Sequence, residues 1–329
     1  MSRQKILSLL HQASDYLSGE EMSRQLGISR AAVWKAVDAL RQEGYQIDSA
    51  PRRGYRLLSA PDLLTAGEIT PYLTTKSLAQ PLLVLESVDS TNNYLKRHSG
   101  QLPHGAALVA DRQTGGRGRL GRSFLSPAGK GIYCSLLLRP DVPPAQAVNL
   151  TAWVAVAVCD AIEDATGLRP GIKWTNDIIM NGRKVCGILT EMSIEGESGA
   201  LQHLITGIGI NANQSAEDWP EELRDIAGSV AQATGRSVGR GRLAACLLNA
   251  LERMYDSWLV GDKAPYLERY RRDCVTLGKP VRLIGPAGEE DAFARAIDED
   301  FALIVTMADG TQRRVTSGEV SVRGLYGYV

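Results

Sequence analysis

The chain has 329 residues, 44% of them apolar and 22% charged, with Lys plus Arg and Asp plus Glu both at 37. This is the composition of a globular protein of about two domains' length; it excludes a uniformly basic coat for nucleic acid and leaves a local one open. The longest apolar stretch, Ala152 to Cys159, is far short of the roughly 20 residues a membrane span needs.

After Met1-Ser2-Arg3 the sequence enters a polar amphipathic pattern, so no secretory signal is expected. Five cysteines (Cys134, Cys159, Cys186, Cys246, Cys274) are widely spaced and mostly flanked by apolar residues. They read as free thiols in a reducing compartment, and the expected setting is cytoplasmic, with no membrane. No CxxC pair is present and His11, His98, His104 and His203 are scattered, which argues against structural zinc.

Residues 1–60 carry nine Lys and Arg against six Asp and Glu. Ile6, Leu9 and Leu10 fall at helical spacing. A second helix starts at Ser18, which with Glu21 makes an S-x-x-E capping box, and stops at Gly27. Ser29 caps a third, whose Ala32, Val33, Ala36, Val37 and Leu40 form one apolar face. Two short alternating segments, Tyr45–Asp48 and Tyr55–Leu57, flank the basic tip Arg52-Arg53. The pattern is a winged helix-turn-helix. The outer stripe of the third helix carries Arg30, Trp34 and Arg41 with Lys35 beside them, and with Arg52 and Arg53 these are the candidate DNA contacts.

Ser59-Ala60-Pro61-Asp62 marks a linker. Beyond it strands are predicted at Leu82–Glu86, Ala107–Ala110, Ile132–Leu138 and Leu204–Asn211, with one helix across Ala145–Thr166. Another helix is opened by Ser90-Thr91-Asn92, and Asn181-Gly182 between apolar runs is a hairpin signal. Helices return at Leu243–Leu259 and Tyr266–Arg272. Pro280 to Val329 reads as strands only, with turns at Asp309-Gly310 and Ser317-Gly318. The expected fold is a multidomain α+β chain: a winged helix over residues 1–62, a mixed, largely antiparallel α/β domain over 63–274, and a small SH3-like β-barrel over 275–329.

The stretch Gln113 to Arg122 carries the chemistry. It formally contains G-x-G-x-x-G at Gly116, Gly118 and Gly121, but the dinucleotide fingerprint needs a helix opening inside the glycines. Here the chain runs through Ser126-Pro127-Ala128-Gly129 into a strand, so that reading fails. Neither a P-loop nor a G-x-S-x-G elbow is present. The stretch instead offers four glycines, which let backbone N–H groups approach an anion, and three arginines, which supply forked donors. Such a loop is expected to be mobile when empty and to order around an anionic ligand. Lys173-Trp174-Thr175-Asn176-Asp177 adds an amide and a carboxylate suited to a nucleotide and magnesium. Lys184, just past the Asn-Gly turn, folds back alongside it. Together these residues point to a phosphate or acyl-phosphate site.

Asp89-Ser90-Thr91-Asn92, the loop Gly116–Gly121, Lys-Trp-x-Asn-Asp at 173–177, Lys184-x-x-Gly-Ile-Leu and Gly207-Ile-Gly-Ile-Asn211 occur in the order seen in biotin protein ligases. With the winged helix, the chain resembles the bifunctional bacterial form that also represses the biotin operon, over essentially its whole length. The resemblance implies that biotin and MgATP give biotinyl-5′-AMP, whose biotin then passes to a lysine of a carrier domain of acetyl-CoA carboxylase. It also implies that the adenylate acts as corepressor, and that adenylate-bound enzyme forms a homodimer on operator DNA.

By the same resemblance Ser90, Thr91, Asn92 and Gln113 hold the biotin ureido end, with Arg117 and Gly118 closing over it. Arg119 stabilises the adenylate, and Lys184 touches the biotin carboxylate and the α-phosphate; these two are the catalytic candidates. Gly116, Lys173, Asn176, Asp177 and Asn211 serve ATP, with Asp177 also the magnesium candidate. Trp219 and Pro220 belong to the adenosine-side loop. The sequence departs from the family at Thr175, where proline is usual, at Leu120, a common arginine, and at Phe124, often tryptophan. The competing readings are a ligand-sensing repressor without catalysis and a lipoyl or octanoyl transferase, although the Arg-Arg-x-Ser-Gly-Gly-Gly run usual in the latter is absent.

Overall fold

A computed structural model describes residues 2–285, 288–316 and 321–324. The N-terminal unit comprises α1 (Ser2–Gln12), α2 (Gly19–Leu26), α3 (Arg30–Gln42), β1 (Gln46–Ala50) and β2 (Gly54–Ser59). Ser18 and Ser29 cap α2 and α3 by accepting the backbone N–H groups of Glu21 and Ala32, and Gly27 ends α2 at φ 63°. The predicted capping box is only half formed. The Glu21 carboxylate does not turn back to Ser18 but accepts from Arg24 and Gln25 one turn along. Ile6, Leu10, Met22, Val33, Val37 and Leu40 close a small core of their own. Arg41 is exposed, as the helical stripe predicts, but its guanidinium is engaged within the domain. It donates to the Ile47 carbonyl at 2.7 Å and to Ser49 Oγ at 3.0 Å, tying α3 to the wing.

A short helix absent from the sequence reading, α4 (Ala66–Ile69), follows, capped by Thr65. The central unit then runs β3 (Leu82–Val88), α5 (Thr91–Arg97), β4 (Ala107–Gln113), β5 (Gly131–Leu138), α6 (Pro144–Ala147), α7 (Leu150–Thr166), β6 (Gly171–Lys173), β7 (Asp177–Met180), β8 (Arg183–Ile194), β9 (Leu201–Asn211), α8 (Val230–Thr234), α9 (Arg240–Leu259) and α10 (Ala264–Asp273). The helix expected across Ala145–Thr166 is thus two, and several strands run longer than predicted. The Asn181-Gly182 turn has both residues at positive φ, 48° and 75°, the geometry a tight hairpin requires.

Strands order as β3-β4-β5-β9-β8-β7-β6, with β3 and β4 parallel and every other pair antiparallel. One face of this sheet buries Ile132, Cys134, Ile188, Ile208 and Ile210 in the main core, which also contains α7 and α9 residues. The opposite face receives α5, whose Leu95 packs with Leu108, Leu137 and Ile205. By length and composition Pro144–Thr166 could cross a membrane, but 67% of its most apolar window is buried within the protein.

The last unit comprises β10 (Pro280–Gly285), β11 (Gly288–Ile297), β12 (Leu303–Met307), β13 (Gln312–Val315) and β14 (Ser321–Gly324). They form an antiparallel sheet in the order β13-β12-β11-β10-β14. Gly310, at φ 85°, turns β12 into β13 as Asp309-Gly310 suggests; Ser317-Gly318 lies outside the described residues.

Arg240 joins the linker to the central unit. Arg240, 2% exposed, donates through Nε to Asp62 Oδ2 at 2.8 Å and through Nη2 to the Asp62 carbonyl at 2.7 Å. Its Nη1 reaches Asp111 and the Gly131 carbonyl. Removing the cation leaves Asp62 and Asp111 with neutral donors only, from Asn213 and the Arg240 and Gly129 backbones, and both are partly exposed, so the cost is about 1–3 kcal/mol, less than for a buried pair. Arg240→Met is therefore expected to lower the Tm by roughly 2–12 °C. An unchanged midpoint in thermal unfolding followed by circular dichroism would refute this role.

Candidate active site

The face of the sheet that α5 leaves uncovered carries a cavity of about 710 Å³, within the roughly 300–1,000 Å³ range of small-molecule sites. Its floor is made by glycines. Gly207 and Gly209 on β9 and Gly187 on β8 stand where the strand alternation would send side chains into the space. A Cβ on Gly207 would collide with the Asn92 amide, and one on Gly209 would lie 2.5 Å from the Phe124 ring.

One end of the cavity is polar and rigid. Ser90 caps α5, accepting the Asn93 N–H at 3.4 Å. Thr91 donates its backbone N–H (2.9 Å) and hydroxyl (3.1 Å) to Gln113 Oε1, and Gln113 Nε2 donates to Ser126 Oγ at 3.0 Å. Ser135 Oγ lies 2.6 Å from both Thr91 Oγ1 and Asn92 Oδ1. Asn92 Nδ2 donates to Glu191 Oε2 at 2.7 Å and to the Leu189 carbonyl at 3.3 Å. Both ends of the Asn92 amide are thus committed to protein groups, and this residue braces the wall between α5 and β8.

The other end is cationic. The arginine loop folds as a small hairpin: Gly118 N–H donates to the Arg122 carbonyl at 2.7 Å, and Phe124 N–H to the Gly116 carbonyl at 2.9 Å. Apart from one 3-10 turn at Arg119–Gly121 it has no helix, so no helix N-terminus is aimed at a pyrophosphate. Gly116 cannot carry a side chain, since its Cβ would lie 2.5 Å from the Phe124 carbonyl. Arg119 Nη1 donates to Asn176 Oδ1 at 2.9 Å, and Asn176 Nδ2 donates to the Ile188 carbonyl at 3.0 Å. Burial lowers the pKa of the Arg119 guanidinium, opposed by the nearby Asp177 carboxylate. Lys184 is ion-paired with Asp177 and lies over Gly187. Lys173, 5% exposed on β6, lines the same cavity beside Asn176 and Asp177. Asn211 is anchored by donating to the Gly228 carbonyl at 3.0 Å and the Lys184 carbonyl at 3.3 Å.

Three family descriptions match this chain: Biotin/lipoate A/B protein ligase family over residues 84–211, HTH domain over 2–56 and Biotin protein ligase C terminal domain over 276–323. The chain is 38% identical over 315 residues to the bifunctional ligase/repressor BirA of Bacillus subtilis (strain 168), covering 94% of this chain and 96% of that one.

The chain belongs to the biotin protein ligase family.

The Escherichia coli (strain K12) bifunctional ligase/repressor BirA is 32% identical over 321 residues, covering 97% of this chain and 96% of that one. Among solved structures, the biotin protein ligase from Aquifex aeolicus in complex with biotin and ATP superposes with a TM-score of 0.64 at 32% identity, over 74% of this chain and 98% of that one.

In this ligase every predicted biotin and ATP residue except Gly116 borders the one cavity. The sequence reading leaves out Ile226 and Ala227, the long-range wall brought in where Lys184 N–H donates to the Ile226 carbonyl at 2.8 Å, and Val322 and Gly324 of β14. No local signal marks these positions, because they reach the cavity from distant segments. Trp219, 3% exposed, also lines it and donates to Gln232 Oε1 at 3.4 Å. Cys186, next to this cluster, is not a nucleophile: burial pushes its thiol pKa far up, so it stays protonated. Among the described residues no group of three or more His, Cys, Asp and Glu could hold a metal, and Asp177 is already taken by Lys184.

On the winged helix Arg30, Lys35 and Arg52 are exposed and Trp34 is 56% exposed. Arg53 is exposed as well, while lying 2.7 Å from Asp15 and stacked over Tyr16 with Cζ 4.2 Å from the ring centroid.

The glycine floor makes a stability prediction. Gly207→Ala should cost about 1–3 kcal/mol by overpacking against Asn92. Combined with Asn92→Ala it should cost clearly less than the two changes summed. Additive losses in urea unfolding of the two single variants and the double variant would rule the contact out.

Proposed function

We propose that this chain is a bifunctional biotin ligase and repressor. It makes biotinyl-5′-AMP from biotin and ATP, transfers the biotin to a lysine of a biotin carrier domain such as that of acetyl-CoA carboxylase, and, with the adenylate bound, represses biotin genes through its winged helix. The observation that carries this reading is the meeting of Arg119, Lys184, Asn176 and Asp177 at one end of a glycine-floored cavity whose other end is the rigid Thr91–Gln113 network.

In adenylation a carboxylate oxygen of biotin attacks the α-phosphorus of ATP, and the bond from that phosphorus to the pyrophosphate oxygen breaks. Two anions must approach and further charge gathers on the α-phosphate, so fixed cations in a partly dry cavity lower the barrier. Lys184 and Arg119 supply them. Asp177 holds Lys184 across Gly187 and Asn176 holds Arg119, which keeps like charges from repelling one another while the site is empty. In transfer the carrier lysine's amine attacks the acyl carbon and AMP leaves, so no enzyme nucleophile is needed.

Ser90, Thr91 and Gln113 hold the ureido end, with Asn92 as the brace beneath them and Arg117 and Gly118 as the cover. Gly116 lets the loop backbone close. Lys173, Asn176, Asp177 and Asn211 face ATP. Magnesium enters with ATP as substrate, and Asp177 serves it only on release from Lys184. On operator DNA the exposed Arg30, Trp34, Lys35 and Arg52 make the contacts, while Arg53 stiffens the wing through Asp15 and Tyr16.

A homodimer fits the outer edge of β8, which beyond Gly187 pairs with no strand among the described residues and exposes Met192 and Ile194. The free cysteines suit a reducing, cytoplasmic setting.

The deciding experiment measures pyrophosphate release from MgATP with biotin, with lipoate or with neither. Release with biotin alone is expected. Release with lipoate alone would overturn the substrate, and silence from folded protein would leave a ligand-sensing repressor. Lys184→Ala should reduce biotin-dependent release by at least about a hundredfold, the scale on which removal of one preorganised charge acts. Arg119→Gly should let biotinyl-AMP escape and label bystander lysines; clean bystanders on a biotin blot would refute its retaining role. A chain lacking residues 1–60 should keep ligation and lose specific DNA binding in a mobility-shift assay.

A further inference from the structure

Asn176 and Asp177 aim the two cations from a turn closed by the Lys173–Asp177 strand pair. Thr175 leaves φ freer than a proline would, and its buried Oγ1 has no hydrogen-bond partner. The turn is held from behind. Tyr270 of α10, completely buried, donates its hydroxyl to the Thr175 carbonyl at 3.1 Å. Trp174 donates its backbone N–H to Thr276 Oγ1 and its Nε1–H to the Phe301 carbonyl, both at 2.9 Å. Phe301 stands edge-on to Tyr270, with centroids 5.3 Å apart and planes at 87°.

We infer that Tyr270 is a positioning residue for adenylation: its hydroxyl fixes the Thr175 carbonyl and thereby the aim of Asn176 and Asp177 at Arg119 and Lys184. The Thr175 carbonyl and the Asn176 N–H belong to one rigid peptide plane. Pinning the oxygen of that plane sets the direction in which the Asn176 side chain leaves the backbone. Asn176 has no slack to absorb an error, since its Nδ2 is spent on the Ile188 carbonyl and its Oδ1 on Arg119. Burial drives the Tyr270 phenol pKa well above its usual value, so the hydroxyl keeps its proton and remains a donor throughout the working pH range. Tyr270 does not border the cavity; it acts through the turn and also lies near enough to Arg119 for the two to interact electrostatically, which Thr276 does not share.

This inference rests on the ligase reading, and the test separates the two. Pyrophosphate release and calorimetric biotin binding are measured on the full chain and on Tyr270→Phe, Thr276→Val and Thr276→Ser. In Tyr270→Phe, kcat/KM for MgATP should fall about tenfold, the loss expected for one buried hydrogen bond. Biotin Kd without ATP should stay within about threefold, because the Thr91–Gln113 end is untouched. Thr276→Val should show the same selective loss and Thr276→Ser should retain the wild-type value, a comparison that also serves if Tyr270→Phe fails to fold. Unchanged kcat/KM in both Tyr270→Phe and Thr276→Val would overturn the role, as would a parallel fall in biotin affinity and Tm. No biotin-dependent release from the unsubstituted chain would overturn the ligase reading and this inference with it.

Discussion

A sheet face kept free of side chains is the constraint from which the active site follows. Gly187, Gly207 and Gly209 interrupt the outward row of β8 and β9, and α5 covers only the part of that face where Leu108, Leu137 and Ile205 stand. The residues that alternate with these glycines, Ile188, Ile208 and Ile210, point into the main core. The same strands are therefore packed solid on one side and bare on the other. Phe124 enters from the arginine hairpin to lie over Gly209, so the loop is seated by apolar contact with the floor as well as by its charges.

The electrostatics follow from that seat. Concentrating cations in a partly buried space is costly unless each has a partner, and here Lys184 and Arg119 have different kinds of partner. Lys184 has a carboxylate and Arg119 a neutral amide. An incoming phosphate can replace the Asn176 amide at Arg119 with a charged acceptor, and that exchange leaves no displaced charge behind. The Lys173–Asp177 turn offers both partners from adjacent residues, so its orientation governs both cations together.

Much of this was legible in the chain itself, and the exceptions share one cause. The winged helix is written in local chemistry, with Ser18, Gly27 and Ser29 at its helix boundaries, and the Asn181-Gly182 hairpin is equally local. The cavity-facing motifs could be named because their residue types are chemically unusual. Arg41 does lie outside, where a helical wheel places it, but a wheel cannot show the carbonyl that captures it, since Ile47 comes from the wing. Glu21 was drawn off by Arg24, a competitor that a capping pattern does not weigh. The helix α4 did have a signal, Thr65 three residues before Glu68, but its single turn is too short to show periodicity. Ile226, Val322 and Gly324 reach the cavity through tertiary placement alone.

Arg240 has a consequence at a larger scale. It clasps Asp62, the last linker residue before α4, and the same guanidinium is embedded against Asp111 and Gly131 of the central sheet. Asn213 adds a second hold on Asp62 at 2.9 Å. The DNA-reading unit is therefore mounted on the enzyme rather than tethered to it. Where α3 stands is thus fixed by a residue of α9 far along the chain, and the linker has no freedom of its own at Asp62.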